Sequence, residues 1–132
     1  MKEIKFLDPS IKRKKNITNI SFQIMKGTNY PLPSEVEISE SGTCNRKCSF
    51  CPRSDPEYKD VKEFIAPALH SKLIQELKKY DFKGVLRYSG FVEPLLDKNI
   101  YDLINHARHN LQARIEMVTN GDVLDVKRLK KL

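Results

Sequence analysis

From residue 34 onward the apolar positions fall into two alternating periods. Ser34 to Ser39, with Val36 and Ile38 apolar, reads as a short strand. A loop rich in Cys, Pro, Ser and Asp then runs to about residue 64. Pro67 suits the first turn of a helix, and Leu69, Leu73, Leu77 and Tyr80 recur on one helical face. Gly84 precedes a second strand, Val85 to Tyr88, which stops at Ser89-Gly90. Asp97 and Asn99 are candidate caps for a second helix. Its stripe is Ile100, Leu103, Ile104, Ala107 and Leu111, at i, i+3, i+4, i+7 and i+11. A third strand, Arg114 to Thr119, ends at the turn dipeptide Asn120-Gly121. Asp122 to Leu132 reads as a third helix with Val123, Val126 and Leu129 inward.

The order β-loop-α-β-α-β-α predicts an α/β fold with a parallel sheet and right-handed crossovers. Sites in such folds lie beyond the carboxyl ends of the strands. Three distinctive segments occupy those ends: the cysteine loop, Ser89–Pro94 and Thr119-Asn120-Gly121. Residues 1–33 read instead as a basic N-terminal arm, with one alternating run near Ile20 to Met25 that suits an edge strand. The division expected is therefore an arm over 1–33 and a core over 34–132.

Composition narrows the function classes. The 132 residues suit one domain, and 39% apolar with 31% charged residues is a globular balance. No apolar run is long enough to span a membrane, and the N-terminus lacks the apolar core of a secretory signal. A cytoplasmic setting is the expectation. The net charge of +7 is uneven: +5 over residues 1–33, −2 over 34–64 and +4 over 65–132. Its excess sits in Lys12-Arg13-Lys14-Lys15 and in Lys127, Arg128, Lys130 and Lys131. No basic stripe with interleaved aromatics stands out, so nucleic acid is not the expected partner. Arg53 reads as a solvated loop residue, with pairing to an acidic group as the alternative.

The three cysteines, Cys44, Cys48 and Cys51, form C-x3-C-x2-C within eight residues. An odd number so close together is no disulfide framework. Three thiolates in one loop can face a common centre and select zinc, Cu(I) or an iron–sulfur cluster. Structural zinc takes four protein ligands. The chain has no fourth cysteine, and its histidines, His70, His106 and His109, lie at least 19 residues beyond Cys51. A four-iron cluster with three cysteines keeps one iron open to a small ligand.

C-x3-C-x-Phe-C after a first strand resembles the signature of the radical S-adenosylmethionine (SAM) superfamily. The resemblance implies a partial (β/α) barrel with about three βα units. It implies that Cys44, Cys48 and Cys51 ligate a [4Fe–4S] cluster whose fourth iron binds SAM. Reductive cleavage of SAM to a 5′-deoxyadenosyl radical, which takes hydrogen from a substrate, is the activity implied. Phe50 would sit near the adenine. Gly90-Phe91-Val92-Glu93-Pro94 is similar to the family's Gly-Gly-Glu segment, with Glu93 and the backbone of Gly90, Phe91 and Val92 holding the SAM ammonium group. Val92 stands where the family commonly has Gly, and a β-branched residue takes positive φ only at a cost. Asn120 belongs to a turn that resembles the family's Thr-Asn-Gly.

The family barrel usually has six βα units, so the chain is expected to be an N-terminal portion of a larger enzyme or a truncated product. Its alternative is a non-catalytic iron–sulfur or zinc-binding module. The partners implied are a small-molecule or peptide substrate and an electron donor such as flavodoxin or ferredoxin.

Overall fold

The computed structural model describes residues 24–131. Most of the basic arm, including Ile20 to Gln23 of the expected edge strand, lies outside the described residues. Ile24 makes an isolated antiparallel bridge with Pro31.

Three strands form the central sheet: β1 (Glu35–Ile38), β4 (Val85–Tyr88) and β5 (Arg114–Met117). Their order is β1-β4-β5 and both pairings are parallel. Helix α1 (Pro67–Lys79) precedes β4, and α2 (Ile100–Asn110) joins β4 to β5. Each new strand thus adds beside the last, as in a growing barrel. The ladder runs unbroken across the sheet, with Ile38 opposite Tyr88 and Tyr88 opposite Met117.

Strand alternation divides the sheet into two unlike faces. Ile38, Leu86 and Tyr88 join Ile74 and Leu77 of α1 and Ile100, Leu103, Ile104 and Ala107 of α2 in one apolar cluster. The opposite face holds charge. Arg87 pairs with Glu35 on one side and donates from Nε and Nη2 to Glu116 Oε2 on the other, at 3.1 and 3.0 Å.

Four expectations are corrected. The loop expected up to residue 64 contains a two-stranded antiparallel ribbon, β2 (Ser41–Gly42) with β3 (Val61–Phe64). All four residues of β3 are exposed, so no apolar alternation marks it. The inward face of α1 is His70, Ile74 and Leu77, with Leu73 partly buried, whereas Leu69 is 59% exposed. The stripe turns because His70 has a buried partner, Tyr88. Helix α3 is a single turn, Val126–Leu129, capped by Asp125 accepting from the Arg128 N–H. Val126 and Leu129 face outward, at 70% and 59% exposure, although Val123 does pack on the core. One turn is too short to lay a stripe on the sheet, and α3 meets the body through Arg128, which donates to the Leu95 carbonyl. Asp97 caps the α2 approach by accepting from the Asn99 N–H at 2.8 Å, while Asn99 itself makes no side-chain cap.

Among the described residues, no helix is long and apolar enough to cross a membrane.

Candidate functional site

All nine residues singled out in the sequence line one cavity of about 220 Å³. They are Cys44, Cys48, Phe50, Cys51, Gly90, Phe91, Val92, Glu93 and Asn120. Three strand ends supply them. The cysteine loop follows β1 and β2, the Gly90–Glu93 loop follows β4, and Asn120 follows β5. Arg46, Arg53, Val118 and Thr119 complete the lining.

The cysteine loop is shaped by short-range backbone bonds. Cys51 N–H donates to the Cys48 carbonyl and Ser54 N–H to that of Cys51, both at 2.9 Å. A 3-10 turn, Pro52–Ser54, follows with proline at its start. All three thiols are free and partly exposed. Cys44 Sγ accepts from the Arg46 N–H at 3.4 Å and from Asn120 Nδ2 at 3.8 Å. Among the described residues, no three His, Cys, Asp or Glu side chains stand together at metal-holding distance. Three soft donors on one wall still fit a thiolate-ligated group, whose binding draws such ligands together. None of the described histidines lines this cavity. His70 is buried, with Nε2 2.7 Å from the Tyr88 hydroxyl.

Gly90 has φ of +129°, a conformation reserved for glycine, and a Cβ there would stand 2.1 Å from Ser39 Oγ. Val92 keeps negative φ, so the strain anticipated at that position does not arise. Positive φ is supplied two residues earlier, at Gly90.

Glu93 is 1% exposed. Its carboxylate accepts from Leu95 N–H at 3.0 Å, Thr119 Oγ1 at 2.6 Å and Asn120 N–H at 2.7 Å, and its own N–H donates to the Thr43 carbonyl. It therefore fastens the ends of β4 and β5 to each other and to the chain entering the cysteine loop. A carboxylate has about four acceptor positions, so one remains after these three donors.

Arg53 is not the solvated residue expected. It is 2% exposed and donates into both site loops. At the rim, Arg46 makes a bidentate pair with Asp122, and Asn45 Nδ2 also donates to Asp122 at 3.0 Å. The hydrogen bond from Arg46 is the first cause holding the Asp122 carboxyl below its ordinary range. Phe50 and Phe91 are exposed at the same rim.

These features define an α/β protein that presents a three-thiolate loop and a glycine-turned loop at one edge of a parallel sheet. Residues 38–132 match the Radical SAM superfamily, and the chain belongs to that family. It is 36% identical over 102 residues to the S-adenosyl-L-methionine-dependent 2-deoxy-scyllo-inosamine dehydrogenase of Niallia circulans, covering 76% of this chain and 40% of that protein. It is 31% identical over 80 residues to the 7-carboxy-7-deazaguanine synthase of Clostridium acetobutylicum, covering 61% of this chain and 34% of that protein. The crystal structure of BtrN in complex with AdoMet and 2-DOIA superposes with a TM-score of 0.70 at 35% identity, over 76% of this chain and 41% of that one. The chain thus spans about two fifths of the length of such relatives, which are enzymes.

Proposed function

We propose that this chain is the cluster- and SAM-binding portion of a radical SAM enzyme. The observation supporting this most directly is that Cys44, Cys48 and Cys51 share one cavity with Gly90–Glu93 and Asn120. Cys44, Cys48 and Cys51 would hold three irons of a [4Fe–4S] cluster, leaving the fourth to the amino and carboxylate groups of SAM. When bound, that pair supplies reductive cleavage of SAM to a 5′-deoxyadenosyl radical able to take hydrogen from a substrate.

The chain's own residues bind and orient. Backbone carbonyls of Gly90 and Val92, the Phe91 carbonyl beside its bond from Arg53, and the remaining acceptor position of Glu93 would hold the SAM ammonium group, where a charged partner strengthens each hydrogen bond. Asn120 sits opposite, tied to Cys44 and Asn45. Phe50 lies at the rim for the adenine. A small polar substrate is the proposal, supported by an adjoining open cavity of about 430 Å³ that is walled by Glu37, Ser39, Arg87 and Ser89 and shares Gly90, Phe91 and Val118 with the first. The relatives named as a dehydrogenase of 2-deoxy-scyllo-inosamine and as a 7-carboxy-7-deazaguanine synthase favour a small molecule over a peptide. A flavodoxin or ferredoxin is the proposed electron donor.

Anaerobic reconstitution with iron and sulfide, then EPR of the dithionite-reduced protein with and without SAM, tests the reading. A [4Fe–4S]⁺ signal that SAM reshapes and that Cys48→Ala lacks is expected. Stoichiometric zinc with no cluster, or a cluster indifferent to SAM, would overturn it.

A further inference from the structure

Arg53 stands two residues beyond Cys51, yet its guanidinium reaches three separate segments, at 42–44, 58–60 and 91. Nη1 donates to the carbonyls of Gly42 and Phe91, each at 3.1 Å. Nη2 donates to the Cys44 carbonyl at 3.4 Å and pairs with Asp60, just before β3. The Tyr58 ring lies against the same group, 5.1 Å from ring centroid to Cζ. The bond to Cys44 closes the chain from 44 to 53 into a ring that contains all three cysteines. The bond to Phe91 ties that ring to the loop after β4.

Burying a cation is costly unless it is paired and hydrogen-bonded. Asp60 balances the charge, and three backbone carbonyls occupy the fork. Of the three guanidinium nitrogens, Nε alone finds no partner among the described residues. A planar fork can serve several acceptors in different directions; a lysine ammonium at the end of a flexible stem cannot hold them at fixed separations.

We infer that Arg53 is a positioning residue that fixes the spacing between the three-cysteine loop and the Gly90–Glu93 loop, so that a cofactor held by one is presented to the other. This rests on the radical SAM reading for its consequence, and on the hydrogen bonds alone for its mechanics. The two parts are tested separately with Arg53→Lys, which keeps the charge, and Arg53→Met, which keeps most of the length.

In the chain without iron, hydrogen exchange followed by mass spectrometry reads the mechanics. Arg53→Lys should speed exchange across residues 44–51 and 91–93 together, while α2 exchanges as in the wild type. Acceleration of the cysteine loop alone, or of α2 equally, overturns the inference, and so does no change. In the reconstituted protein both variants should retain cluster iron, because the cysteines are untouched. SAM affinity should fall about tenfold, the effect of losing a hydrogen bond to a charged group, with a smaller SAM-induced change in the EPR signal. Wild-type SAM affinity and an unaltered EPR response at full cluster content also overturn it. If Arg53→Met fails to fold, Arg53→Lys decides. Failure of the radical SAM reading shows instead in the wild type, as absence of a cluster.

Discussion

Thr119 Oγ1 donates to Glu93 Oε1 across 2.6 Å, joining the ends of two neighbouring parallel strands through one buried carboxylate. Together with the bonds from Leu95 and Asn120 N–H, this makes Glu93 the fastening between the second and third strand-end loops. Glu93→Gln places an NH2 group where one of those donors points. Removing a hydrogen bond to a charged group and stranding a buried donor costs about 2 kcal/mol. Urea unfolding of Glu93→Gln should show a lowered midpoint with unchanged slope. A midpoint equal to the wild type would show that the displaced donor and the carboxylate charge contribute nothing to stability.

Gly90 admits no side chain. Gly90→Ala meets Ser39 Oγ at 2.1 Å and must adopt φ near +129°. Overpacking and backbone strain each cost about 1–3 kcal/mol. The double variant Ser39→Gly, Gly90→Ala removes the clash and leaves the strain, so its unfolding free energy should lie between those of Gly90→Ala and Ser39→Gly. Full recovery in the double variant would assign the whole penalty to the clash.

Glu40 gives a pH dependence with a definite sign. Burial, the largest cause, pushes its carboxyl from 4.5 up to about 7, with Asp97 and Glu93 adding repulsion. Oε2 has no partner among the described residues. The folded chain therefore binds a proton more tightly than the unfolded one. The associated stability is present below pH 4.5 and is lost as pH rises toward 7, at up to about 1.4 kcal/mol per pH unit. Burial lowers the pKa of His70, which acts in the opposite direction below its unfolded value. Comparison with Glu40→Gln isolates the carboxyl: the stability of wild type minus variant should fall between pH 4.5 and 7. A flat difference would place Glu40 in contact with solvent or an unseen donor.

Much of this arrangement is legible in the sequence, and each exception has its own physical cause. The α2 stripe is legible because Ile100, Leu103, Ile104 and Ala107 are all buried against the sheet. The α1 stripe is read one residue out because His70 faces inward, and its reason for doing so, Tyr88, lies 18 residues away. The Tyr88 hydroxyl donates to the Leu103 carbonyl, so its lone pair takes the His70 Nε2–H. The β2–β3 ribbon has no buried face to create an alternation. The convergence of Cys44, Glu93 and Asn120 follows from parallel topology alone. Arg53 is half legible: Asp60 meets the alternative of an acidic partner, but arginine is a surface residue by default and its other acceptors are carbonyls, which leave no trace in side-chain identity.

The charged row on the sheet bears on how the chain finds its alignment. Parallel strands joined by helices can pair one residue out of step, and each such slip exchanges the two faces of a strand. A slip in β4 would drive Arg87 into the apolar layer occupied by Leu86 and Tyr88, and would leave Glu35 and Glu116 without their shared cation. The misaligned state is thus penalised twice, once by a desolvated charge and once by the loss of the cation that Glu35 and Glu116 share. Arg87 acts as a proofreader of strand alignment, and through it of whether the cysteines and Gly90 arrive at the same edge.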